Sequence, residues 1–162
     1  MKKIILFIGL VFAFGSVFVG CKEAKKEIDV EATGNEIVTA LDGKTKKLQK
    51  LNEEEAKGIL SDLTLVEEYS VYGSMMSPIE TIGIFKVKDG NVDKVKAELE
   101  KTKKAKKEAA FYPADKDAVS NDGALKVVSN GNYVGIFILP DYENATADIT
   151  DEAVTIFNNK FK

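Results

Sequence analysis

The stretch Leu125-Lys126-Val127-Val128-Ser129-Asn130-Gly131-Asn132-Tyr133-Val134-Gly135-Ile136-Phe137-Ile138-Leu139 decides the fold. Two runs rich in β-branched and aromatic residues flank Asn130-Gly131. Asn-Gly between such runs is the strongest short-range hairpin signal, because both central positions of a type I′ turn need positive φ and this pair tolerates it. Leu125–Ser129 and Asn132–Leu139 are therefore predicted to be antiparallel strands joined by a type I′ turn centred on Asn130 and Gly131. Pro140 ends the second strand.

Downstream, Thr150 is the expected cap of a last helix, with Asp151 and Glu152 in its first turn and Lys160 and Lys162 near its end, as the helix dipole favours. Its buried face reads Ala153, Ile156, Phe157 and Phe161. Upstream, Val92 to Ala110 has the period of a helix, with Val95, Leu99 and Thr102 inward, and Phe111-Tyr112-Pro113 ends it because proline restricts the residue before it. Glu80 to Lys88 carries apolar residues on both faces, which predicts a central strand. Leu65 to Tyr72 reads as another strand, followed by a loop from Gly73 to Pro78. Asn52, with Glu55 three residues on, forms a capping box that opens a helix through Ala56, Ile59, Leu60 and Leu63. A first helix is expected over Asn35 to Leu51. This order predicts an α+β fold, a single antiparallel sheet of about four strands with helices packed on it.

At the amino terminus, Lys2-Lys3 precedes an almost wholly apolar run from Ile4 to Val19, the plan of a secretory signal. Phe18-Val19-Gly20-Cys21 resembles a bacterial lipobox, which implies cleavage after Gly20 and lipid on Cys21. One acyl chain holds a membrane only reversibly, so a diacylglyceryl group is what makes such attachment stable. The expected organisation is a lipoprotein signal peptide over 1–20, the lipidated Cys21 with a polar tether over 21–34, and one domain over 35–162. The expected location is a bacterial membrane, on its extracytoplasmic side.

Composition excludes several chemistries. The sequence has 162 residues and no His, so Ser-His-Asp and Cys-His catalysis and the common zinc sites are ruled out. Cys21 is the only cysteine, so no internal disulfide can form. All 23 basic residues are Lys, and a mature chain from Cys21 carries 21 of them against 26 acids. That balance does not suit a nucleic-acid partner. No cofactor, metal site or catalytic residue is expected. Asp115-Lys116-Asp117 and Asn121-Asp122-Gly123 lack the order of a calcium loop and read as turns. Lys101, Lys103, Lys104, Lys106 and Lys107 fall on both flanks of one helix and read as a solvated surface whose stems cover core edges. Tyr72, Met75, Met76 and Tyr112 lie at loop edges. Met adapts to varied partners and Tyr suits interfaces, which makes these four the candidate interaction surface.

Ser74-Met75-Met76, Glu80-Thr81-Ile82-Gly83-Ile84-Phe85-Lys86-Val87-Lys88, the Lys-rich helix, Tyr112-Pro113 and Asn130-Gly131-Asn132-Tyr133-Val134, as an ordered set, resemble the domain of unknown function 4358 family. Those are small bacterial envelope proteins, often lipoproteins. The resemblance runs from about Gly34 to Phe161. It implies the fold type and the envelope address, and no activity. The expected role is a lipid-anchored, non-catalytic binding or scaffolding module with an envelope protein partner. The rivals are a small enzyme or accessory subunit using Lys, Tyr or carboxylate chemistry, and a small-ligand-binding lipoprotein.

Overall fold

The computed structural model describes residues 26–162; the expected signal segment and Cys21 lie outside the described residues. The strands are β1 (Leu48–Lys50), β2 (Val66–Ser74), β3 (Thr81–Val87), β4 (Leu125–Asn130) and β5 (Tyr133–Ile138). The helices are α1 (Val30–Ala40), α2 (Glu53–Lys57), α3 (Val92–Glu108), α4 (Pro113–Ala118) and α5 (Asp148–Asn159), with short 3₁₀ turns at Leu63–Leu65 and Asp122–Ala124. All strands join one antiparallel sheet in the order β1-β2-β3-β5-β4. The α+β expectation holds, with five strands instead of about four.

Both faces of the sheet are covered, and alternation along β3 and β5 says why. Phe85, Val87, Val134, Ile136 and Ile138 point to one side, where Ala56 of α2, Ile59 and Leu60 just after it, and Val95 and Leu99 of α3 pack on them. Ile82, Ile84, Tyr133 and Phe137 point to the other, under Val30 and Ile37 of α1, Leu41, and Ala153 and Phe157 of α5. Every residue of β5 is buried. Near-continuous apolar runs are what a strand covered on both faces requires. Each such Val, Leu, Ile or Phe contributes about 1.5–3 kcal/mol relative to exposure.

Four expectations are corrected. The ordered fold begins before Asn35: Asp29 caps α1 by accepting from the Ala32 amide at 2.8 Å, and Val30, Thr33 and Gly34 are buried, so the residues before Asn35 belong to the folded domain from Asp29 on. Low apolar content hid this start, because α1 buries only a narrow stripe. The helix expected over Asn35–Leu51 stops at Ala40, and Leu48–Lys50 is an edge strand against Tyr72–Ser74. The hairpin turn is shifted by one residue. Asn130 pairs with Tyr133, leaving Gly131 and Asn132 at the centre. Gly131 has φ +58°, and among the described residues Ala145 is the only non-glycine with positive φ. Glycine first with negative φ second is the pattern of a type II′ turn. Lastly, Ala147 caps α5, while Thr150 lies one turn inside it. The buried Thr150 hydroxyl donates to the carbonyls of Ala124 at 2.9 Å and Leu139 at 3.2 Å.

The Asn52–Glu55 capping box is present, with reciprocal bonds of 2.8 and 3.0 Å. α3 matches its expected span to within two residues. Pro113 ends nothing by itself: it is the first residue of α4, where a missing N–H and a fixed φ suit helix entry.

Candidate interaction site

Residues from four elements meet at the end of the sheet where β2 ends and β3 begins. The connection Met75–Glu80 is tied down from beneath. The Met76 amide donates to Ser74 Oγ at 3.0 Å. Ser77 Oγ shares a 2.7 Å hydrogen bond with Tyr142 Oη, beyond β5, and accepts from the Glu80 amide at 3.4 Å. Lys106 Nζ, from the last turns of α3, donates to the Pro78 carbonyl at 2.5 Å. Ile79 is buried in the core. With its inner positions so occupied, the loop can only present Met75 and Met76 outward, and they are 82% and 73% exposed.

The second half of the rim is the junction of α3 and α4. Ala110 turns into the core and Tyr112 caps α4 in an extended conformation, which leaves Phe111 80% and Tyr112 65% exposed. Their rings pack edge to face, centroids 5.6 Å apart and planes at 87°. Met75, Met76, Phe111 and Tyr112 are the exposed large hydrophobic residues among those described.

Three of the four residues expected as an interaction surface are thus at this rim. Tyr72 is not. It is 3% exposed, on the sheet face under α1, and its hydroxyl donates to Asn35 Oδ1 at 2.9 Å and accepts from Ser70 Oγ at 3.1 Å. Its position near a loop edge misled, because β2 runs two residues further than expected and keeps Tyr72 paired with Lys50 and Ile82. Phe111 was legible only as part of a helix stop. An apolar pair before proline at a helix exit was the usable signal.

Beneath the rim lies a polar cluster that sequence reasoning missed. Glu80 is 1% exposed, and both its carboxylate oxygens accept from the Lys46 amide, at 3.1 and 2.9 Å. Burial raises its pKa to about 7; the Lys46 amide and charge oppose this, and the Asp115 charge adds to it. Burial also raises Tyr142 to about 12, against its bond to Ser77 and with help from the Glu80 and Asp115 charges. Lys46 Nζ sits 4.8 Å from the centre of the Tyr142 ring. Burial lowers the pKa of Lys106. A carboxyl titrating near neutrality is what a general base needs. A cavity of 350 Å³ is lined by Lys46, Asp141 and Tyr142, among others. Through Ser77 the cluster also braces the loop.

Several residues of the other charged motifs are paired locally. Lys103 pairs with Glu100 at 2.5 Å, Lys104 with Glu108 at 3.8 Å and Lys107 with Asp122 at 2.5 Å. Asn121 accepts from the Gly123 amide at 2.9 Å, as a turn residue does. Glu67 pairs with Lys86, Asp151 with Lys126, and Glu152 with Lys44. Among the described residues no group of three or more Asp, Glu or Cys is placed to hold a metal ion.

No curated protein and no solved structure matches the chain. A family described as domain of unknown function (DUF4358) matches residues 42–139, a narrower span than Gly34–Phe161. The matched span takes in all five strands, the Met75–Glu80 loop, Lys106 and the Phe111–Tyr112 junction, and leaves out α1 and α5. Because this match covers more than half of the sequence, the chain belongs to the DUF4358 family.

Proposed function

We propose that this protein is a lipid-anchored module of the bacterial cell envelope, facing the extracytoplasmic side, that binds a protein partner through Met75, Met76, Phe111 and Tyr112 and performs no catalysis itself. The observation that carries the binding role is the exposure of four large apolar side chains, two of them on a loop that hydrogen bonds brace from beneath. Exposed large apolar groups gathered in one place mark interaction surfaces, and Met and Tyr are among the residues enriched there. The anchor rests on the lipobox-like Phe18-Val19-Gly20-Cys21 after an apolar run.

The anchor is tested with a fatty-acid analogue fed to cells. The wild-type chain takes up label, and Cys21→Ser takes up none and keeps its signal segment. Label persisting on the variant defeats the anchor. The binding role is tested by chemical cross-linking in the native envelope. Met76→Asp with Phe111→Asp, both exposed, should keep the melting temperature and lose the wild-type adduct. An unchanged adduct means the rim is not the binding surface.

A further inference from the structure

We propose that Met75 and Met76 form a site of reversible oxidation, at which a peroxide turns the exposed start of the β2–β3 connection from apolar to polar without disturbing the fold. This goes beyond the proposed function and needs neither the lipid anchor nor a partner.

Composition confines the reaction to this loop. The sequence holds three methionines, and the third is Met1, at the start of the expected signal segment. It has no His and no Trp, and its one cysteine is Cys21. Among the described residues, Met75 and Met76 therefore carry all the sulfur. Oxidation of sulfur follows its exposure, and these two neighbours are 82% and 73% exposed.

The step balances with a peroxide as oxidant. A lone pair on the thioether sulfur attacks one peroxide oxygen. An S–O bond forms, the O–O bond breaks, and the second oxygen leaves as water. Sulfur loses two electrons and the peroxide gains them. A thiol-dependent sulfoxide reductase reverses the change: two thiols become a disulfide and the oxygen departs as water.

The loop is built so that the fold does not feel this reaction. Its brace consists of the Met76 amide on Ser74 Oγ, Ser77 on Tyr142 and on the Glu80 amide, and Lys106 on the Pro78 carbonyl. Ile79 fills the core position below. None of these contacts uses a methionine sulfur. A sulfoxide in a core breaks its packing, but here the new polar group meets water. What changes is the surface. Met75 and Met76 are two of the four large hydrophobic residues exposed among those described, and each gains a strong acceptor oxygen.

The test exposes the full purified chain to hydrogen peroxide. Peptide mapping by mass spectrometry should find a gain of about 16 Da, one oxygen, at each of Met75 and Met76. The melting temperature should hold, and retention on a phenyl column should fall. A pair of reductases, one for each sulfoxide epimer, should restore mass and retention. Met75→Leu with Met76→Leu should keep its retention through the same treatment. In cells given a pulse of peroxide with protein synthesis blocked, sulfoxide at the two positions should rise and then decline. Oxidation much slower than that of free methionine, a lowered melting temperature, unchanged retention, or sulfoxide that persists in recovering cells would each overturn the proposal.

Discussion

Glu80 is a carboxyl that folding takes almost wholly out of water. Folding moves its pKa from the ordinary 4.5 to about 7 by burial, so the fold prefers the protonated carboxyl. The contribution is fully present below about pH 4.5 and is lost as pH rises through about 7. The groups that face it are the Lys46 amide and charge, Asp115 and Tyr142. Wild-type stability should therefore fall between those two pH values, by about 3 kcal/mol at most. Glu80→Gln keeps an acceptor for the Lys46 amide and cannot ionise. Its melting temperature should exceed wild type at pH 8 and match it near pH 4. Parallel melting curves for the two proteins across that range would show that Glu80 is not held neutral. At the same scale, Gly34 lies so close to Tyr72 that a Cβ would meet its ring at 2.6 Å, against only 3.1 Å to the nearer hydroxyls. Gly34→Ala should cost about 1–3 kcal/mol by overpacking, measured by denaturant unfolding. No loss would mean that α1 sits away from the sheet.

The β4–β5 hairpin is the element with the sharpest test. With φ +58° at Gly131 and Asn130 in the strand, the two turn residues are unequal. Gly131→Val should destabilise by about 1–3 kcal/mol, the range for a side chain in a strained backbone region. Asn130→Ala should change stability by less than about 0.5 kcal/mol, since it keeps an ordinary strand conformation. Thermal melting of both variants separates the type II′ turn from the type I′ turn that Asn-Gly suggests. Equal losses would restore the shifted register. α5 shows a related effect. Thr150 looks like a helix cap in one dimension, but its hydroxyl is taken by the backbone carbonyls of Ala124 and Leu139, 26 and 11 residues away.

For the molecule as a whole, α1 and α5 close one face of the sheet although the family match excludes both. A chain starting at Lys22 should be monomeric or weakly associated and should melt cooperatively. A chain limited to residues 42–139 should expose Tyr72, Ile82, Ile84 and Phe137 and aggregate, because that face alone removes four large side chains from cover. Size-exclusion chromatography with thermal melting checks both. A monomeric, cooperatively melting 42–139 fragment would show that the two helices are dispensable.

The local signals were sufficient wherever a short segment carries its own physics. The paired runs around Gly131, the capping box at Asn52, the both-sided apolar run of β3 and the 3.6-residue period of α3 each depend on neighbours in sequence, and each appears in the fold. The family resemblance was legible for the same reason, as an ordered string of such segments. What only the tertiary structure decided depends on contacts between distant segments. Leu48–Lys50 is a strand because Tyr72–Ser74 offers it an edge. Tyr72 is buried because α1 lies over it, whereas Phe111 is exposed because Ala110 takes the inward position beside it. The Glu80 pKa is raised to about 7 by burial beneath a loop that Ser77, Tyr142 and Lys106 tie together from separate elements. Propensity and periodicity act over a few residues, but burial and hydrogen-bond satisfaction are set by whatever the folded chain brings alongside.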